Sequence, residues 1–282
     1  LKEVAVYSFW IFLNAIMDKI YWSTGQFVLG AVAGTVAISV FAVGIQLQSM
    51  YLQFSNAISS VFLPRVTGMV ALKNDSKELS DMFIRTGRIQ NIIMVLILMG
   101  FVAFGRPFVT LWAGSEYADA YIITLLFFIS LYIPLIQNLG ITILQARNQM
   151  KFRSIAYIII ALFALLFQYI FAKMWGAVGC AIAVSGALLI GQGLVMNIYY
   201  KVMQNLAIGQ FWKQILMMDI TPTVVTIVFV FILKDREITT WASFLSWVFV
   251  YVIVYVPLFY LFSMNKDEKR LMLGPVRKLL RR

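Results

Sequence analysis

Long apolar runs, each near the roughly 20 residues that a bilayer crossing requires, dominate the chain, and only short polar stretches interrupt them. Eight are read as transmembrane helices: Val4–Leu29, Val32–Leu63, Asn91–Leu111, Tyr121–Ala146, Ile155–Met174, Ala177–Tyr200, Leu216–Leu233 and Trp241–Phe262. The seventh is the weakest, because Asp219 and Pro222 fall early in it. The expected fold class is all-α, a polytopic membrane helix bundle. Two further segments are amphipathic. "NDSKELSDMFIRTGRIQ" begins on capping residues Asn74–Ser76 and sets Leu79, Met82 and Phe83 on one side. It reads as a helix lying on the cytoplasmic surface before the third span. The tail "NKDEKRLMLGPVRKLLRR" is expected to break at Gly274-Pro275 and to rest its basic end on anionic lipid.

Within the spans the polar residues fall in register. Gln46, Ser49, Gln53, Asn56 and Ser60 are spaced three and four apart, so they share one face of the second helix. Five polar groups in line read as one wall of a wet cavity; helix-to-helix hydrogen bonding is the plainer alternative. The first helix offers a matching face of Asn14, Asp18, Tyr21 and Gly25. Asp18 and Lys19 are about 100° apart on the helix and cannot pair along one face. A charge near a span's centre costs about 2.5–3.5 kcal/mol on the insertion scale, so each calls for a use. Asp18 reads as a cavity group; Lys19 either serves the cavity or snorkels outward. In the fourth span Pro134 should kink the helix, with Asn138, Thr142 and Gln145 along one side. In the sixth, Gly179, Ala183, Ala187 and Gly191 form a small-residue ridge for close packing.

Composition agrees with a life in lipid. Of 282 residues, 62% are hydrophobic and 12% charged, against about 25% charged in soluble domains; mean hydropathy is +0.87. The net charge of +11 needs no nucleic acid to explain it. With the N-terminus inside, 18 of the 23 Lys and Arg fall in cytoplasmic segments, four outside and Lys19 within the membrane. That asymmetry assigns both termini to the cytoplasm. The outer loops are short. Histidine is absent, and Cys180, the single cysteine, sits in an apolar run as a buried, inert thiol. No nucleophile elbow, zinc or phosphate-loop motif occurs, so neither an enzyme, a cofactor nor a metal is expected. The opening at Leu1, without Met or a signal peptide, reads as a fragment of something longer.

At these residues a family resemblance enters. "NAIMDKIYWSTGQFVLG", "FSNAISSVFLPRV", "ELSDMFIRTGRIQ", "LWAGSEY", "IPLIQNLGITILQARNQMKFRS" and the glycine-rich sixth span together resemble the later half of bacterial polysaccharide flippases. These are Wzx-type members of the multidrug/oligosaccharidyl-lipid/polysaccharide exporter superfamily. The resemblance implies two six-helix lobes around a central cavity, often with two extra C-terminal helices. This chain would then hold the second lobe (1–200), two added spans (201–263) and a basic tail (264–282). Relatives tend to carry Asp-Lys where this chain has Gly25-Gln26, which leaves Asp18 and Lys19 as the ionisable pair of the first helix.

The resemblance also implies the cargo, a polyprenyl-diphosphate-linked oligosaccharide for O-antigen, capsule or related polysaccharide, moved from inner to outer leaflet of the bacterial plasma membrane. Lys19, with Arg65 and Arg147 at the cytoplasmic mouth, would attract the diphosphate. Gln46, Gln53, Asn56 and Asn138 would bind sugar hydroxyls or phosphate, and Asp18 with Asn14 would couple the cycle to an ion. The expected partners are that lipid-linked substrate, the absent N-terminal lobe and anionic lipids. A drug/cation antiporter of the same superfamily would favour a more acidic, aromatic cavity. A polysaccharide polymerase or ligase would need a long outer loop rich in Arg, His or acids, and a non-transporting scaffold would need neither.

Overall fold

Backbone amides with no water to bond must satisfy one another, and in an apolar chain the helix does this locally. The computed structural model describes the chain over residues 2–71 and 76–279, with side chains described for 8–19, 21–60, 64, 68, 69 and 77–272. Among the described residues it is helical throughout, with no strand. The helices are α1 (Lys2–Val32), α2 (Gly34–Ala71), α3 (Ser76–Ala113), α4 (Ala120–Ile136), α5 (Asn138–Ala146), α6 (Met150–Leu188), α7 (Met196–Val202), α8 (Ile208–Leu233), α9 (Trp241–Phe262) and α10 (Lys266–Leu279). A π-helical segment, Leu189–Val195, joins α6 to α7.

Five helical runs are long and apolar enough to cross a membrane, six when α4 and α5 count as one bent span. Eight spans were expected, and part of the difference lies in one run. Met150–Val202 forms a continuous 53-residue stretch, yet Trp175 and Gly176 interrupt it with non-helical dihedrals. A straight helix would hold Phe152 and Tyr199 about 70 Å apart. Their rings instead stack with centroids 4.1 Å apart, and Gly191 lies against Ile160. The run is therefore an antiparallel hairpin whose reversal falls at Trp175-Gly176, with Gly176 at φ 56°, where glycine meets no Cβ penalty. The small-residue ridge beginning at Gly179 is what lets its two limbs close.

α1 lies in the groove of this hairpin. Asn14 meets Ser154 on the first limb, and Tyr21 donates to the Val184 carbonyl, 2.6 Å away, on the second. α2 runs beside α4 and α5, with Tyr51 stacked on Phe128 and Ser55 bonded to the Leu135 carbonyl at 2.9 Å. Pro134 has the expected effect, the chain bending by 44° between α4 and α5.

Three expectations are corrected. The segment from Ser76 is not a separate surface helix but the first turns of α3, which runs unbroken for 38 residues, about 57 Å. Its apolar face is taken up inside the protein, since Leu79 and Phe83 are buried in the main core, so no lipid surface is needed to cover it. The capping residues Asn74 and Asp75 lie outside the described residues. The tail does not break at Gly274-Pro275, because α10 continues through both. Finally, the polar face of α1 packs against α6 instead of opening as a wall: Asn14 and Tyr21 are buried there, and Gly25 abuts Phe41 and Cys180.

Two apolar clusters hold the helices together, and α3 contributes to both. Leu79, Phe83, Met94 and Leu98 belong to the cluster of α1–α8. Val95 and Phe104 belong to the second, with Val225 and Phe229 of α8 and Phe244, Tyr251 and Tyr255 of α9.

Candidate functional site

The stripe on α2 is the clearest site feature. Gln46, Ser49, Gln53, Asn56 and Ser60 are all exposed, and they extend over about 21 Å of helix. Val40 and Leu47, on other faces of the same helix, are buried. Asn138 of α5 approaches the stripe and donates to Asn56 Oδ1 at 3.1 Å. The face is not purely polar, because Met50 and Phe54 are exposed beside it. Amides with apolar neighbours suit a ligand that carries hydroxyls or phosphate on a greasy tail. Cysteines placed at Gln46, Gln53 and Asn56 should react with small hydrophilic thiol reagents, and cysteines at Val40 and Leu47 far more slowly. Equal rates at all five, measured by mass shift in intact membranes, would contradict an exposed stripe.

The buried polar residues of α2 serve packing. Besides Ser55, Ser59 pairs with Gln90 of α3, and Gln48 is buried as well. The helix thus carries polar groups on two faces, and only the exposed row is open to a ligand.

On α1, Asp18 and Lys19 are both exposed. Asp18 faces Tyr157 of α6, whose ring stacks on Tyr21 with centroids 5.8 Å apart. Asn14 is engaged on every side: its amide nitrogen donates to the Trp10 carbonyl at 2.7 Å and to Ser154, and its oxygen accepts from Arg153 at 2.8 Å. Arg153, missed as a site residue from sequence, is buried, with its guanidinium carbon 5.5 Å from the Tyr157 ring centroid. A polar seam of Asn14, Arg153, Tyr157 and Asp18 therefore runs between α1 and α6 and ends at an exposed carboxylate.

Arg147 is half-buried and donates to Gln204 Oε1 at 2.8 Å, while Gln204 bonds Gln149 at 2.6 Å. This network fastens the α5–α6 turn to the turn after α7. The side chain of Arg65 lies outside the described residues. Arg88 and Asp219 were given no site role from sequence, yet each centres a polar cluster: Arg88 ion-pairs Glu268 at 2.6 Å, and Asp219 meets Asn91 and Tyr132. The helix ends rich in Lys and Arg are also cross-linked, since the Ala207 amide donates to Ser80 at 3.2 Å.

Fold and site define a class, a multi-pass helical membrane protein with an amide-bearing open face. Residues 1–122 match the sequence model of a family described as polysaccharide biosynthesis protein, a stretch that contains all of α1 to α3. This bears out the resemblance to a polysaccharide-related family over that stretch and, with the apolar helices, supports a membrane protein related to polysaccharide biosynthesis. No curated protein and no solved structure matches it.

Proposed function

We propose that the chain is part of a transporter, not an enzyme, that moves polyprenyl-diphosphate-linked oligosaccharide from the inner to the outer leaflet of a bacterial plasma membrane. The observation that carries this reading is the exposed amide row of α2, met by Asn138, beside exposed apolar side chains such as Met50 and Phe54. Gln46, Gln53, Asn56 and Asn138 would bond glycan hydroxyls or phosphate oxygens. Lys19, with Arg65 and Arg147 nearer the cytoplasmic mouth, would offset the diphosphate charge where water is scarce. Asp18, beside Tyr157 at the end of the seam that includes Asn14, would take up the coupling ion. A second six-helix lobe would complete the cavity and alternate access by rocking. Both termini would face the cytoplasm, the basic tail against anionic lipid.

Complementation of a flippase-deficient strain at matched protein level tests the reading. Lys19→Met should reduce glycan export about tenfold or more, the scale of one lost charge-assisted bond, and Lys19→Arg should recover part of it. Asp18→Asn should leave substrate binding intact while uncoupling export from the ion gradient. Wild-type export by Lys19→Met, Asp18→Asn and Gln53→Leu alike would overturn it.

A further inference from the structure

Asp219 sits within α8, among residues that face outward into lipid: Leu216, Met217 and Ile220 are 62%, 59% and 62% exposed. An ionised carboxylate in such a place needs a cation or several committed donors. The cation whose charge reaches it is Arg88 on α3, and it is already taken. Its guanidinium grips both oxygens of Glu268, at 2.6 and 2.9 Å, and donates to two backbone carbonyls besides. The other titratable groups facing Asp219 are Tyr132 of α4, Tyr51 of α2 and Tyr255 of α9.

The direct partners of Asp219 form a closed triangle. Asn91 Nδ2 lies 2.7 Å from Asp219 Oδ1, the Tyr132 hydroxyl lies 2.6 Å from Asp219 Oδ2, and the same hydroxyl is in hydrogen-bond contact with Asn91 Oδ1. Three contacts need three protons. The amide nitrogen of Asn91 supplies one and the Tyr132 hydroxyl supplies one. Turning the Asn91 amide over changes which contact lacks a proton, not the shortage. Only a proton on Asp219 closes the ring. Asp219 Oδ2–H then donates to Tyr132, Tyr132 to Asn91 Oδ1, and Asn91 Nδ2 back to Asp219 Oδ1. With every group in such a ring both donating and accepting, the bonds strengthen one another in a medium of low dielectric.

We propose that Asp219, Tyr132 and Asn91 form a proton-binding site within the membrane, distinct from the α2 face, in which the bound proton clasps α8 to α3 and α4. Loss of the proton would leave an ionised carboxylate without a free cation and the Tyr132 and Asn91 oxygens opposed without a hydrogen between them, so the clasp would loosen. The site takes a proton and not a metal cation, because the oxygens already touch one another and an ion would have to force them apart. The proposal stands whatever substrate the protein carries.

Infrared difference spectroscopy on the full chain in lipid nanodiscs reads this directly. At neutral pH the wild type should show the carbonyl stretch of a protonated carboxylic acid, and Asp219→Asn should lose it. Asn91→Ala removes the donor to Oδ1 and should move the band to higher wavenumber; this arm decides the assignment even if Asp219→Asn does not accumulate. Exchanging choline for sodium should leave the band unchanged. Absence of the band at neutral pH, its indifference to both substitutions, or its loss on adding sodium would each overturn the proposal.

Discussion

Arg88→Ala should be the most damaging single substitution outside the α2 face, costing about 3–5 kcal/mol, as expected when one partner of a buried ion pair is removed. The pair is almost fully enclosed, with side-chain exposures of 9% for Arg88 and 4% for Glu268. The fork is two-pronged, and Arg88 also caps the carbonyls of Gln214 and Ser263, each at 3.2 Å. Glu268 in turn accepts from the Asn265 amide at 2.8 Å. Truncating Arg88 leaves that carboxylate buried without its cation and three elements (α3, α8 and the turn into α10) without their common tie. Arg88→Lys should recover little, since an ammonium cannot reproduce the planar fork. The double variant Arg88→Met with Glu268→Leu should recover much of the loss, because neither charge is then stranded. Thermal unfolding in nanodiscs, monitored by tryptophan fluorescence, checks all three; an unshifted midpoint for Arg88→Ala would contradict the enclosed pair.

Gly179→Ala should rank next. A Cβ at this position would fall inside the van der Waals envelope of the Phe171 carbonyl oxygen and lie 3.1 Å from Trp175 Cβ. The obstacle is backbone, which no rotamer change can move, so the two limbs of the hairpin must part. Overpacking costs about 1–3 kcal/mol even where side chains can yield. Gly186→Ala on the same limb meets nothing within 4 Å and should be neutral or slightly stabilising, since alanine favours helix by about 1 kcal/mol. Comparable unfolding midpoints for the two variants would argue against the close approach at Gly179.

Legibility followed the range of the forces involved. Periodicity is local, so the helices, the stripe from Gln46 to Ser60, the bend near Pro134 and the ridge from Gly179 all stood in the sequence. The partners of a polar residue are not local. From sequence Asn14, Asp18, Tyr21 and Gly25 make a face, but only the hairpin of α6, brought up by a turn at Trp175-Gly176, decides that three of them are packed away. Arg88 and Arg153 counted as cytoplasmic charges because a window average cannot tell an arginine in water from one buried against Glu268 or Asn14. Asp219 looked like a blemish in a weak span, since Asn91 and Tyr132 stand 128 and 87 residues away. Its signal was available in the cost itself, a charge within a span demanding a reason, as it did for Asp18.

The length of α3 has a mechanical consequence. Because Met94, Leu98 and Val109 of α3 belong to the main core while Val95 and Phe104, between them in sequence, belong to the cluster with α8 and α9, the helix is a rod that both clusters share along its length. If a rod of about 57 Å tilts by about 10°, its far end moves by about 10 Å. Any rocking of the bundle would therefore carry α8 and α9 along with it, since α3, unbroken from Ser76 to Ala113, is common to both clusters. A bulky lipid bound against those two helices would add drag to every stroke.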